Sequence, residues 1–284
     1  MTSISNDPTR DLNTHLSSEL RARGSGWDGV HEVWRYRELL RSLVVRNMKA
    51  KYQRSVLGFF WTLLNPLLTV SILTVVFSYV VRIHLTHYWA FLLSGYFVWN
   101  FILQTISSGT YVLIEHAQLS RSVAFPKELL VLASVISRLV EFGIELTLVL
   151  VGLALFHYHT VPLSFLCVPW LIALQFLLSL GLMFPIATLS VFYHDVQHAL
   201  PIVLTMLFYI TPIFYPASMV PGAMRPFYAL NPVARLLSLY HEVLYDGRLP
   251  GASALLTMTG VALLVVWLGF AIFNRYKALY AEIL

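Results

Sequence analysis

The sequence predicts an all-α integral membrane protein. It would have six transmembrane helices, an N-terminal amphipathic interfacial helix, and re-entrant helices between the fifth and sixth spans. Three observations carry this. Of the 284 residues, 58% are hydrophobic and only 12% charged, about half the charged fraction of a soluble domain. Apolar runs long enough to cross a bilayer, about 20 residues each, recur between short polar turns. Lys and Arg gather beside those runs on one side, so the net charge of +5 reads as membrane topology and not as a nucleic-acid surface.

Residues 1–30 are rich in Ser, Thr, Asn, Asp and Gly without periodicity and read as a flexible cytoplasmic tail. They hold no apolar stretch that could serve as a signal peptide. An amphipathic interfacial helix follows over 31–54. Leu39, Leu40, Leu43 and Val44 give it an apolar face, and Arg35, Arg37, Arg41, Arg46, Lys49, Lys51 and Arg54 a cationic one. The six-span domain fills 55–274, and 275–284 form a cytoplasmic C-terminus.

The first span is expected at about 58–81, interrupted by Pro66, and the second at about 89–113. The polar loop EHAQLSRSVAFPKE, residues 115–128, separates it from a third span at about 129–156. The fourth covers about 165–192, with Pro169 and Pro185, and the fifth about 199–215. Residues 216–250 mix Pro216, Pro221, Pro226, Pro232 and Pro250 with short apolar pieces. That pattern suits a re-entrant or interfacial hairpin buried against protein. The last span is about 252–273. With the N-terminus inside, fourteen Lys and Arg fall on the cytoplasmic side and four (Arg82, Arg225, Arg235, Arg248) on the other. Both termini are therefore placed in the cytoplasm.

Little in the chain looks catalytic. No Walker A sequence, HExxH, GxSxG or paired-Cys metal motif occurs, and the single Cys167 gives no disulfide. Leu93-Ser94-Gly95 matches the start of an ATP-binding-cassette signature only by coincidence, inside an apolar span. His84/His87, His157/His159 and His194/His198 form close pairs, but loop histidines without a third ligand are more often solvated. Arg138, Glu141 and Glu145 stand three and four apart and share one face of the third span. Ionisable groups there face protein or a wet path. Pairing of Arg138 with Glu141 is the structural reading, and Glu145, deeper, is the better functional candidate.

Aromatic residues make up 14% of the chain. Many are expected at the membrane interface. A ladder including Phe59, Trp61, Tyr209, Phe214, Tyr215, Phe227 and Tyr228 has the chemistry to guide a glycan.

Two stretches carry a family resemblance. RELLRSLVVRNMKAKYQRSVLGFFWTLLNP resembles the N-terminal motif of type-2 ATP-binding-cassette permeases that export O-antigen, capsule, teichoic acid or galactan. VFYHDVQHALPIVLTMLFYITPIFYPASMVP, followed by LNPVARL, resembles their later motif. His194 stands before Asp195 where relatives commonly carry Arg, which removes any role assigned to that Arg. The resemblance spans about residues 34–274. It implies a homodimer in the cytoplasmic membrane, bound to two copies of a separate ATP-binding-cassette ATPase that holds the Mg-ATP, with no cofactor in this chain. It implies that the interfacial helix touches the ATPase. The 115–128 loop, through Glu115, His116, Gln118, Arg121, Phe125, Pro126, Lys127 and Glu128, would be the coupling helix. It further implies a lipid-linked polysaccharide on a polyprenyl diphosphate, held at the cytoplasmic mouth by Arg46, Lys49, Lys51 and Arg54. Export of a drug or lipid by a permease of the same superfamily is the nearest alternative. A membrane-embedded glycosyltransferase or lipid phosphatase would need clustered acids at one face. A secondary carrier would need an inverted repeat, and none is visible.

Overall fold

The computed structural model describes residues 34–53, 58, 60–116, 125–158 and 162–280. The tail, Arg54, Phe59, Gln118, Arg121 and the side chain of Phe227 lie outside the described residues. Among those described, all regular structure is helical: α1 (Arg37–Tyr52), α2 (Phe60–Val75), α3 (Tyr88–Gly109), α4 (Glu128–Leu153), α5 (Val168–Phe192), α6 (Asp195–Ile210), α7 (Arg225–Leu230), α8 (Pro232–Tyr240) and α9 (Ala252–Tyr276). Wider π turns extend α2 to Val80 and α4 to Tyr158. A π turn, His241–Tyr245, also follows α8.

Among the described residues, five helices are long and apolar enough to cross a membrane: Phe60–Val80, Tyr88–Gly109, Glu128–His157, Leu163–Phe192 and Ala252–Tyr276. They match the expected first, second, third, fourth and sixth spans to within a few residues. The fifth differs. Instead of 199–215 it runs Asp195–Ile210, 16 residues, which at 1.5 Å per residue is roughly 24 Å. Its end has a local cause: Thr211 precedes Pro212 and takes extended backbone, φ −82° and ψ 137°. Tyr215 then donates its hydroxyl to the carbonyls of Tyr209 and Ile210, closing the open helix end.

α3 is the hub. Fifteen of its residues are buried, among them Ala90, Ser94 and Gly95 between larger apolar neighbours, because α2, α4, α5 and α8 surround it. A helix apolar on every side belongs in such a place. α5 and α9 form the closest pair: a side chain built at Gly269 would meet the Gly181 carbonyl oxygen at 2.1 Å. Bundles in lipid pack through such small residues, since burial of apolar surface drives nothing there. Three hydroxyls inside the spans turn back on their own helices. Thr69 bonds the Asn65 carbonyl, Thr147 that of Gly143, and Thr188 that of Phe184, so none of these three faces lipid unpaired.

The Pro-rich stretch folds into short helices. Asn231 caps α8, its Oδ1 accepting from the amides of Val233 and Ala234, with Pro232 at the first helical position. Val233, Ala234, Leu236, Leu237, Leu239 and Tyr240 are all buried, and the Tyr240 hydroxyl reaches Gln175 Oε1 at 2.6 Å. At this hairpin end three distant pieces are tied together. Tyr245 donates to the Thr86 carbonyl at 2.7 Å. His157 Nε2 lies 3.0 Å from the Tyr245 carbonyl, and its Nδ1 3.1 Å from His87 Nδ1. The carbonyl takes an N–H from Nε2, and the facing Nδ1 atoms of His157 and His87 share a single hydrogen bond. His87 and His157, 70 residues apart, thus form a pair across the fold, and His159 lies outside the described residues. Among the described residues no three His, Cys, Asp or Glu gather as metal ligands.

Candidate functional site

At the opposite end of the bundle, α1 lies along the first half of α4. Leu43, on the apolar face, is buried, while Arg41, Arg46 and Lys49 stay exposed. This packing carries the last turn of α1 into a gap between α2, α3 and α4. There Glu141, its side chain 6% exposed, collects three donors. Its Oε2 accepts from Lys51 Nζ at 2.8 Å and Arg138 Nη1 at 3.0 Å, and its Oε1 from the Tyr52 hydroxyl at 2.7 Å. Arg138 also donates to Gln104 Oε1 at 2.8 Å. Tyr52 has one proton and gives it to Glu141, so Thr62 donates to the Tyr52 oxygen across 2.9 Å.

Two cations and one carboxylate form the centre of this cluster, and the buried Glu145 follows one turn along. No ion pair closes on Glu145 among the described residues. Burial lowers the affinity of the Lys51 ammonium for its proton, and Arg138 lowers it further, against the pull of Glu141. Tyr52 is held above the usual phenol range by burial and by its bond to Glu141.

Beside the cluster opens a cavity of about 230 Å³, lined by Lys51, Tyr52, Trp61, Asn65, Tyr96, Asn100 and Gln104 among others. One ammonium, three amides and three aromatic rings face one space. Amides fix hydroxyl-rich groups by paired donors and acceptors, aromatic faces stack on ring carbons, and the ammonium favours an anion. A smaller recess joins Asn100 and Gln104 to Arg138, Glu141 and Glu145.

Arg138, Glu141 and Glu145 do share one face, and Lys51 joins them; Arg46 and Lys49 instead face outward from α1. Trp61 stands at the cavity, 52% exposed. Phe214, by contrast, packs among Phe77, Phe208 and Tyr215 at the hairpin end, and Tyr215 meets the Tyr228 hydroxyl there. Tyr209, in that group, is 63% exposed. Trp61 and Phe77 are sixteen residues apart along one helix, roughly 24 Å, so the aromatics form two groups and not one ladder. Tyr52, Thr62, Asn65, Asn100 and Gln104 escape sequence reasoning. The three amides within otherwise apolar spans are the readable signal.

The coupling-loop residues divide in two. Glu115 and His116 leave α3 in a turn, where His116 Nδ1 donates to the Val112 carbonyl at 2.9 Å and burial lowers its proton affinity. Phe125 and Pro126 are partly buried. Lys127 lies 5.5 Å from the Tyr280 ring centroid, and Glu128 is ion-paired with Lys277.

The family profile of the ABC-2 type transporters matches residues 38–245. The chain belongs to the ABC-2 type transporter family. Among relatives of this ABC-2 permease is the O-antigen export system permease protein RfbA of Myxococcus xanthus, 33% identical over 256 residues, 89% of this chain and 98% of that protein. The protein of the same name from Klebsiella pneumoniae is 30% identical over 250 residues, 87% and 95% of the two chains. The polysialic acid transport protein KpsM of Escherichia coli is 22% identical over 240 residues, 83% and 92% of the two chains. An ABC-2 permease is a transporter membrane subunit, which is what five apolar helices of spanning length suit.

Proposed function

We propose that this ABC-2 permease is the membrane subunit of an ATP-driven exporter that moves a lipid-linked polysaccharide, on a polyprenyl diphosphate, out across the cytoplasmic membrane. The observation that carries the reading is the cavity at the α1 end, where an ammonium, amides and aromatic rings converge. Names of relatives that export O-antigen or transport polysialic acid support the substrate class.

In this reading α1 lies in the cytoplasmic interface, and Arg46, Lys49, Lys51 and Arg54 draw the diphosphate towards the mouth. The first sugars rest on Trp61 and the amides of Asn65, Asn100 and Gln104. α6 is the short fifth span of six, completed by the extended turn to Tyr215, and both termini face the cytoplasm. α7 and α8 form the re-entrant hairpin on the outer side. Two copies of the chain assemble with two copies of an ATP-binding-cassette ATPase, which binds Mg-ATP and meets α1 and the 115–128 loop. The helix through His157 is 30 residues long, roughly 45 Å against about 30 Å of hydrocarbon. Its excess length leaves Arg138 and Glu141 near the cytoplasmic boundary, where charged groups are tolerated.

The test is genetic and chemical together. Disrupting the gene in its host should abolish a surface polysaccharide and leave lipid-linked chains inside; an unchanged surface would end the reading. Trp61→Ala should lower export about tenfold at normal membrane abundance, the loss of roughly 1.4 kcal/mol of stacking. Export indistinguishable from the unmodified chain would remove Trp61 from the path.

A further inference from the structure

The last described turn, 277–280, is bound to the two residues at which the 115–128 loop becomes α4. Lys277 Nζ pairs with Glu128 Oε1, the carboxylate being only 14% exposed. Lys127, the residue before, lies over the ring of Tyr280. Tyr280 is itself fully buried. Its hydroxyl meets Thr188 Oγ1 on α5 at 2.6 Å and the Phe273 carbonyl on α9 at 3.3 Å. The ring packs against Phe273 and Phe192, with centroids 5.3 and 6.2 Å apart.

We propose that Lys277 and Tyr280 are positioning residues: a C-terminal clasp that sets the angle of the loop entering α4 and joins that loop mechanically to α5 and α9. Three features support this role. Two consecutive residues at the start of α4, Lys127 and Glu128, are engaged by two residues one turn apart in the 277–280 segment. The anchor Tyr280 is pinned to two different helices. Those helices touch backbone to backbone at Gly181 and Gly269, so a displacement of the loop is passed to both as one body. α2 buries little of its surface in the chain, and α6 has Leu204 as its one buried residue among the described residues. A push on the loop is therefore passed from the start of α4 to α5 and α9 together.

The inference rests on the exporter reading, and it changes what Glu128 does. A Glu128 that contacted the ATPase directly would have no use for Lys277. A Glu128 held by the clasp needs only an opposite charge at position 277. The experiment compares Glu128→Lys, Lys277→Glu and the double exchange in the full chain, purified with its ATP-hydrolysing subunit. Membrane abundance, ATP turnover and surface glycan are measured for each. Either single change should cut export at least about tenfold while ATP hydrolysis continues, because a half-buried charge then faces its like. The double exchange should restore export to within a few-fold, at a coupling ratio near that of the unmodified chain.

Lys277→Arg, which keeps the charge, should export normally, and Tyr280→Phe, which loses only the hydroxyl and its bonds, should reduce coupling without lowering abundance. A double exchange as defective as the singles would overturn the clasp and assign Glu128 to the ATPase. Single changes that lower abundance and export in parallel, with ATP turnover per exported glycan unchanged, would overturn it as well, leaving a fold staple. If no ATP-hydrolysing subunit co-purifies with the unmodified chain, the exporter reading itself fails; if one does and the exchanges have no effect, only the clasp fails.

Discussion

Glu141→Ala is expected to leave a permease that is poorly folded and does not export. The substitution removes one carboxylate and strands three donors: Lys51 and Arg138, with side chains 33% and 24% exposed, and the hydroxyl of Tyr52. Breaking a buried pair by deleting one partner costs about 3–5 kcal/mol, because the other charge stays behind uncompensated. Here two cations stay behind. The cost falls on the joint between α1 and α4, so α1 should detach first. Thermal unfolding in detergent would show a lower midpoint, and protease would cut near Gln53 sooner.

Glu141→Gln separates charge from shape. Its amide can still accept from Tyr52, so part of the stability should return while the two cations stay unbalanced. Adding Arg138→Ala to Glu141→Ala should recover part of the loss, because one stranded charge is gone. Equal midpoints and equal export for Glu141→Ala and the unmodified chain would show that the cluster is idle.

The α4 half of this site is legible in the sequence. Ionisable residues at spacings of three and four in an apolar run can only share a face, and the pairing of Arg138 with Glu141 follows from that periodicity alone. The partners from elsewhere are not. Lys51 and Tyr52 lie 90 and 89 residues away from Glu141, and helical periodicity carries no information about which helices meet. In the sequence Lys51 is one member of a uniform cationic face. Only the packing of Leu43 on α4 turns it inward, away from Arg46 and Lys49. The spans are legible for a related reason: in lipid the backbone must satisfy itself, so length and apolarity nearly determine a helix. α6 departs from this because its apolar run continues to Tyr215, whereas Pro212 forces its predecessor out of helix.

The hairpin shows the same division. Asn231 before Pro232 is a helix start readable by eye, and α8 begins there. That α8 is the best-buried of the short helices depends on α3 presenting Gly95 to His241. A side chain at Gly95 would stand 2.5 Å from the His241 ring nitrogen. Nothing in the local sequence links those two residues, which are brought together by the turn of chain from Thr211 to Tyr228.

Gly269→Val is expected to abolish accumulation of the protein, and Gly269→Ala to lower it severely. The methyl group that Gly269→Ala adds would fall 2.1 Å from the carbonyl oxygen of Gly181, 3.0 Å from its carbonyl carbon and 3.3 Å from its Cα. All three are backbone atoms, so no side chain can swing aside. The obstruction is mutual, since a side chain at Gly181 would meet Val266 N at 2.6 Å and the carbonyl of Val265 at 2.7–2.8 Å. The helices must separate by more than roughly an ångström to reach ordinary contact.

That separation would loosen the contacts of Phe184 with Phe270 and Phe273, whose centroids are 5.6 and 5.1 Å from it. Overpacking a well-filled interior costs about 1–3 kcal/mol when side chains can adjust, and more when they cannot. Lipid offers no hydrophobic compensation for a gap between helices, because the tails are as apolar as the core. Gly260, on the same helix, has nothing within 4 Å of a built side chain, so Gly260→Ala should leave abundance and melting midpoint unchanged. A Gly269→Ala protein that matches Gly260→Ala in both measurements would mean that α5 and α9 do not cross at these glycines.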